Sequence, residues 1–329
     1  MSANFIMVGT FLKKEQTMKN RYLIILFIVL SVISLSLGVI NIFNLKEGFD
    51  YVHLILITSR IPRLVSLILA AIGLSISGVI FQQISRNKFV SPDTAATLEG
   101  AQLGLVLAMV IFKTESLIGR TILSFVCSLL VSTLFMRIIS KFKTKKTVYV
   151  PLIGIMLGAF INSFTIFIAY KFDVIQVISS WFYGDFSKII EGQYELLYLS
   201  IPLIIVTFLY VNKFTIVALG KDFSTNLGVD YHKFVNLGLI IISMISAVVM
   251  IIVGNIPFIG LVIPNIISLK YGDNLKKNIW KILLLGPIFL MFCDIISRIV
   301  IYPYEVPIGV TAGVFGALLF LVIINRRVK

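Results

Sequence analysis

At 329 residues, the chain is 58% hydrophobic and only 13% charged, with a mean hydropathy of +1.02, which excludes a water-soluble globular domain. Its formal net charge of +14 would point to nucleic acid in a soluble protein, but in so apolar a chain the basic residues report which side of a bilayer they face. The expected class is an all-α, polytopic membrane protein that binds no nucleic acid.

Ten apolar stretches predict spans at 22–43, 63–84, 92–112, 118–137, 149–170, 193–211, 233–254, 257–270, 281–297 and 306–325. The eighth is too short to cross by itself. With the N-terminus inside, 21 of the 29 Lys and Arg residues fall in cytosolic segments. Reversing the chain would invert that ratio, so both termini are expected in the cytosol and the number of crossings is even. Ahead of the first span, Met18-Lys19-Asn20-Arg21 reads as a start with its own positive flank. Met1 and Met18 are thus alternative starts, and residues 1–17 an extension. Residues 1–21 then form a cytoplasmic tail and residues 22–329 a single transmembrane domain. The first span is too long, and lacks the small-residue cleavage site, for a removable secretion signal.

Small residues recur at four-residue steps (Gly73 and Ser77, Gly100 and Gly104, Gly154 and Gly158, Gly309 and Gly313, Ala312 and Gly316), the spacing that lets helices approach closely in lipid. Ionisable groups deep in the spans, the usual mark of an ion relay, are scarce. Arg120, Glu195, Asp294 and Arg298 all fall near predicted span ends, which disfavours an ion-coupled carrier. Cys127 and Cys293 sit singly in apolar spans, and His53 and His232 fall on opposite sides of the bilayer. No disulfide, metal site or catalytic base is expected, which argues against a membrane-embedded enzyme. The Gly220-Lys221-Asp222 run lacks the rest of a phosphate-binding loop, so any ATP must act through a separate subunit touching the cytosolic side.

Three segments stand out. Residues 212–232 form the longest internal cytosolic connection. Within it Gly220 and Gly228 bracket a short predicted helix with Leu219, Phe223 and Leu227 on one face and Lys221, Asp222, Ser224 and Asn226 elsewhere. Such a stripe suits either the membrane surface or a groove in a partner. Gly254 to Asn265 contains Gly254, Pro257, Gly260 and Pro264, which should bend or break a helix, either as a tight turn or beside a watery cavity. Arg60 and Arg63, at the predicted outer end of the second span, oppose the sidedness bias, and Arg298 joins them on that face. Their forked guanidiniums invite an anionic partner.

In this order and spacing, the segments resemble the permease family of bacterial iron-siderophore, haem and vitamin B12 importers, the FecCD or BtuC-like family. The resemblance extends over nearly the whole chain beyond residue 20. It is carried by Arg60-Ile61-Pro62-Arg63, by Ser77-Gly78 through Arg86-Asn87 to Pro92, and by Gly100-Ala101. It continues in Trp181 to Gly184, Ala218 to Gly228, Gly254 to Pro264, and Asp294 to Arg298 followed by Glu305-Val306-Pro307-Ile308-Gly309. It implies a type II ATP-binding-cassette importer permease of ten helices in the bacterial cytoplasmic membrane, with no cofactor and no metal of its own. It further implies a second permease, identical or related, two cytoplasmic ATPase subunits that use ATP and Mg, and an extracytoplasmic siderophore-binding lipoprotein.

By the same resemblance Arg60, Arg63 and Arg298 meet glutamates of the binding protein, and residues 218–229 are the coupling helix, with Leu219, Gly220, Lys221, Asp222, Phe223, Leu227 and Gly228 at the ATPase contact. Ser75, Ser77 and Gln82, with Gly254, Pro257, Gly260, Pro264 and Asn265, are the expected pathway lining. The cargo expected is a ferric siderophore, with haem or a cobalamin as the alternative. The chain departs from the family pattern at Asn87 to Thr94, in a variant that resembles the catechol-siderophore or petrobactin-type branch. It also has Pro264-Asn265 where Pro-His is usual and Gly316-Ala317 where Gly-Pro is common.

Overall fold

The computed structural model describes residues 20–38, 53–113, 116–142 and 149–328. Residues 1–19 of the predicted tail, the far end of the first predicted span and the segment carrying Lys143, Lys145 and Lys146 lie outside the described residues.

Each predicted span has a helical counterpart. In chain order these are α1 (Asn20–Ser36), α2 (Ile61–Ser85), α3 (Thr97–Val110), α4 (Leu117–Lys141) and α5 (Tyr149–Lys171), then the short α6 (Ile175–Phe182), α7 (Ser200–Leu209), α8 (Val211–Val217) and α9 (Lys221–Asn226), and finally α10 (Tyr231–Ile252), α11 (Ile259–Tyr271), α12 (Leu275–Ile299) and α13 (Ile308–Val328). By length and composition, six helices among the described residues suffice to cross a membrane. The pair Glu195–Leu209 and Val211–Val217, bent by 65°, passes the same test only when taken together, as a broken span or a re-entrant loop. α1, α3 and α11 are apolar but shorter, 17, 14 and 13 residues.

Burial separates the helices into a centre and a periphery. In their most apolar windows the segment containing α2 is 78% buried, α10 72% and α12 56%, against 33% for α4, α5 and α13. Lipid-facing and protein-facing sides are equally apolar, so hydrophobicity alone does not tell them apart. Small side chains do. At α2, the position where Gly78 would carry a Cβ lies 1.8 Å from the Gly260 carbonyl oxygen of α11, so only glycine permits the two backbones to meet. Pro264 has no N–H to bond that carbonyl within the helix, which leaves the oxygen free to face α2.

Three predicted boundaries move, each for a local reason. The second span begins at His53 rather than residue 63. A π-turn over Leu56–Arg60 bonds the Ile61 N–H to the Leu56 carbonyl and carries the helix on through Pro62. Arg60 and Arg63 therefore lie in the first turns of this longer helical segment, still toward the same end of it. The third span starts at Thr97 rather than 92, because Ser91 to Ala96 is folded as a turn: the Ser91 N–H donates to Thr94 Oγ1 at 2.8 Å and Ala96 is left-handed at φ 62°. The expected break at 254–265 is confined to residues 253–258, and Pro264 sits inside α11. The two irregular segments meet, since the Phe258 N–H donates to Asp93 Oδ2 at 3.1 Å. Non-helical backbone is thus kept inside protein, where its polar groups find partners. Both short helices, α3 and α11, start from this meeting point, which accounts for their length.

Candidate functional site

At one end of the bundle the three arginines converge, each with a different task. The last turn of α1 leaves carbonyls with no intrahelical donor. Arg60 Nη1 donates to Leu35 O at 2.5 Å and Ser36 O at 2.9 Å, while Arg298 Nη1 donates to Ser34 O and Leu37 O, both at 2.9 Å. Two cations at the negative end of a helix also offset its dipole. Arg63 instead donates through Nε and Nη2 to Asp294 Oδ1, at 3.2 and 2.7 Å, and its Nη1 pairs with Glu305 Oε2 at 2.7 Å. Asp294 also accepts from Arg298 through its other oxygen, so one fully buried carboxylate holds two guanidiniums. A cavity of about 200 Å³ opens among Ser59, Arg60, Arg63, Ser187, Arg298 and Glu305. In the isolated chain, the three arginines expected to meet a partner's glutamates are thus already engaged within the bundle. Arg60 and Arg298 are each 8% exposed and fasten α1, and Arg63 is already paired.

At the other end of α2, 25 residues and about 37 Å away, Arg86 closes the helix in a left-handed conformation (φ 54°). Its guanidinium lies over Gly220, whose Cβ position would be 2.9 Å from Arg86 Nη1. Gly220 (φ 106°) starts α9 and Gly228 (φ 71°) follows it, so the two predicted brackets both adopt backbone that other residues rarely do. Ser224 turns inward and donates to Gly220 O at 2.6 Å and Ile216 O at 3.1 Å. Leu219, Phe223 and Leu227 are left 53, 66 and 58% exposed. Lys221 and Asp222 are also exposed. The connection is shorter than the expected 212–232, because 211–217 is α8, with Val211, Phe214 and Val217 buried against the bundle.

The residues expected to line a pathway are packed instead into the core of the described chain. Ser75, Ser77 and Asn265 are wholly buried and Gln82 is 4% exposed. Gly254, Gly260 and Pro264 are buried and Pro257 is half-buried. Asn265 Nδ2 donates to Lys88 O at 2.8 Å and Leu261 O at 2.7 Å, which ties α11 to the connection after α2. Beside it Lys88 pairs with Asp273 at 2.5 Å.

Asp294 and Glu305 were missed as counter-ions, although Asp294 stands four residues before Arg298, a spacing that pairs charges on a helix. Glu99 was missed as well. It lies in α3 against Gly158 of α5, with its Oε2 buried and without a hydrogen-bond partner among the described residues.

A helical bundle with a charged cluster at one end, an apolar stripe at the other and broken helices buried between them is the architecture of a multi-pass membrane transport subunit. The chain belongs to the FecCD transport family, whose profile matches residues 22–326. It is 47% identical over 315 residues to the petrobactin import system permease protein YclN of Bacillus subtilis, covering 94% of this chain and 99% of that one. It is 39% identical to the ferric-anguibactin transport system permease protein FatD of Vibrio anguillarum, covering 93 and 98%. Its fold matches a structure described as an inward-facing conformation of a metal-chelate type ABC transporter, with a TM-score of 0.77 at 22% identity over 92% of this chain and 97% of that one. It is accordingly a transport subunit of the cytoplasmic membrane and not an enzyme.

Proposed function

We propose that this chain is the permease through which an ATP-driven importer carries a ferric siderophore into the cell. The observation that carries the reading is the pairing, along one buried helix, of an arginine cluster at the end of α2 near residue 60 with the exposed Leu219, Phe223 and Leu227 stripe beside Arg86 at the other. On the sidedness given by the basic residues, the first end faces outward and the second the cytosol. A loaded binding protein docks outside at Arg60, Arg63 and Arg298. Inside, two ATPase subunits that use ATP and Mg grip the stripe, and their closure shifts the helices between outward-open and inward-open arrangements. A second permease, identical or related, completes the pathway, which would be built where the peripheral helices of two copies face each other.

Support for the cargo comes from relatives named for petrobactin, anguibactin and iron uptake. The test is uptake of radiolabelled iron by iron-starved cells that lack the native permease and carry this one. Restored uptake of a ferric catecholate siderophore is expected. Restored uptake of haem or cobalamin with no ferric siderophore uptake would reassign the cargo.

A further inference from the structure

The two carboxylates that face Arg63 are not equivalent. Asp294 is 0% exposed and shared with Arg298, whereas the Glu305 side chain is 24% exposed and borders the 200 Å³ cavity. Glu305 belongs to the connection between α12 and α13, which is pinned at one point by the Val306 N–H bonding to Ser297 O at 3.0 Å. Just ahead of it, Tyr302 and Tyr304 are 66 and 76% exposed. An acidic group entering the cavity therefore meets Glu305 before it meets Asp294. To reach the Nη1 edge of Arg63, it has to take the place of the Glu305 carboxylate.

We propose that Glu305 is an internal stand-in for the carboxylate of the docking protein. It occupies the outward edge of Arg63 while the permease is undocked, gives it up on docking, and so keeps the association weak enough to be reversed in every transport cycle. The inference rests on the docking reading given above. Among the described residues, the three guanidiniums face the two carboxylates Asp294 and Glu305. Docking then exchanges one carboxylate for another at Arg63, and the electrostatic gain is only the difference between them. Removing the Glu305 charge alone does not orphan Arg63, because Asp294 still binds it through two nitrogens.

The test uses the whole importer in lipid nanodiscs, with the system's own solute-binding protein as the probe. Affinity and dissociation rate are measured at low and high salt for the native permease and for Glu305→Gln, Glu305→Asp and Arg63→Gln. Glu305→Gln is expected to tighten docking about tenfold at low salt, mainly by slowing release, with the gain shrinking as salt screens it. Glu305→Asp keeps the charge and should stay near the native value. Arg63→Gln should weaken docking and abolish the effect of Glu305→Gln when the two are combined. If Glu305→Gln weakens docking as Arg63→Gln does, the glutamate merely steadies the arginine and the proposal fails. It fails equally if Glu305→Gln changes nothing while Arg63→Gln weakens docking. Should substitution of Arg60, Arg63 and Arg298 together leave docking intact, the docking reading falls as well, an outcome distinct from the other two.

Discussion

Phe223→Ala removes the centre of the exposed stripe at the cytosolic end. The ring is 66% exposed in the isolated chain, and a phenylalanine buries about 150–250 Å² when fully covered, so about 100–160 Å² is open to a partner. At about 25 cal/mol per Å² that area is worth about 2.5–4 kcal/mol, of which alanine would recover a small part. A loss of about 2–3 kcal/mol corresponds to roughly 30- to 150-fold weaker assembly. The fold should be spared, because Phe223 points away from the bundle while Ser224 makes the inward bonds. The assay is binding of the ATPase subunit to permease in nanodiscs, measured beside the melting temperature of the permease alone. A variant that binds the ATPase with native affinity and supports native transport-linked hydrolysis would refute the assignment of this face. A lowered melting temperature would show that the ring is instead part of the fold.

Three further outcomes follow from the packing. Asp294→Ala leaves Arg63 and Arg298 without their shared carboxylate and should destabilise the permease by about 3–5 kcal/mol; an unchanged melting temperature would contradict the buried pairing. Gly78→Ala places a carbon 1.8 Å from the Gly260 oxygen, where about 3.3 Å is needed. The helices must part by about 1.5 Å, at a cost of about 1–3 kcal/mol; native stability and uptake would show that α2 and α11 do not touch there. Gly220→Val forces a β-branched residue to φ 106° against Arg86 and should cost about 1–3 kcal/mol locally. It should uncouple hydrolysis from uptake more than it lowers global stability, and equal coupling in the variant would count against the α9 geometry.

The apolar helices of the bundle, six or seven of them long enough to cross among the described residues, and the apolar stripe were legible because both rest on local patterns. A run of about 20 apolar residues needs no tertiary information, and Leu219, Phe223 and Leu227 announce themselves at four-residue steps between two glycines. The arginine cluster was legible only as residue types. That Arg60 and Arg298 would cap α1 depends on a helix end brought to them by the fold, and Arg63 meets Asp294 across 231 positions of sequence. The π-turn that carries the second helical segment back to His53 leaves no mark in composition. Ser75, Ser77 and Asn265 were expected at the pathway, whereas within this chain the packing of α2, α10 and α11 encloses them, an arrangement that depends on which helices meet and not on local pattern. Glu99 was visible as one of two carboxylates, with Asp93, in the predicted span 92–112; Asp93 is taken up by the Phe258 N–H, so Glu99 is the group there on which an ion-coupled mechanism would rest.

The central claim is that this bundle has no power source of its own and is driven through the α9 stripe. It is tested most directly by ferric siderophore uptake into proteoliposomes that hold the permease with and without its ATPase subunits, with ion gradients either imposed or collapsed. Uptake that requires the ATPase and ATP, and persists when the gradients are collapsed, is the expected result. Uptake driven by a proton or sodium gradient in the absence of the ATPase, and lost in Glu99→Gln, would contradict the account.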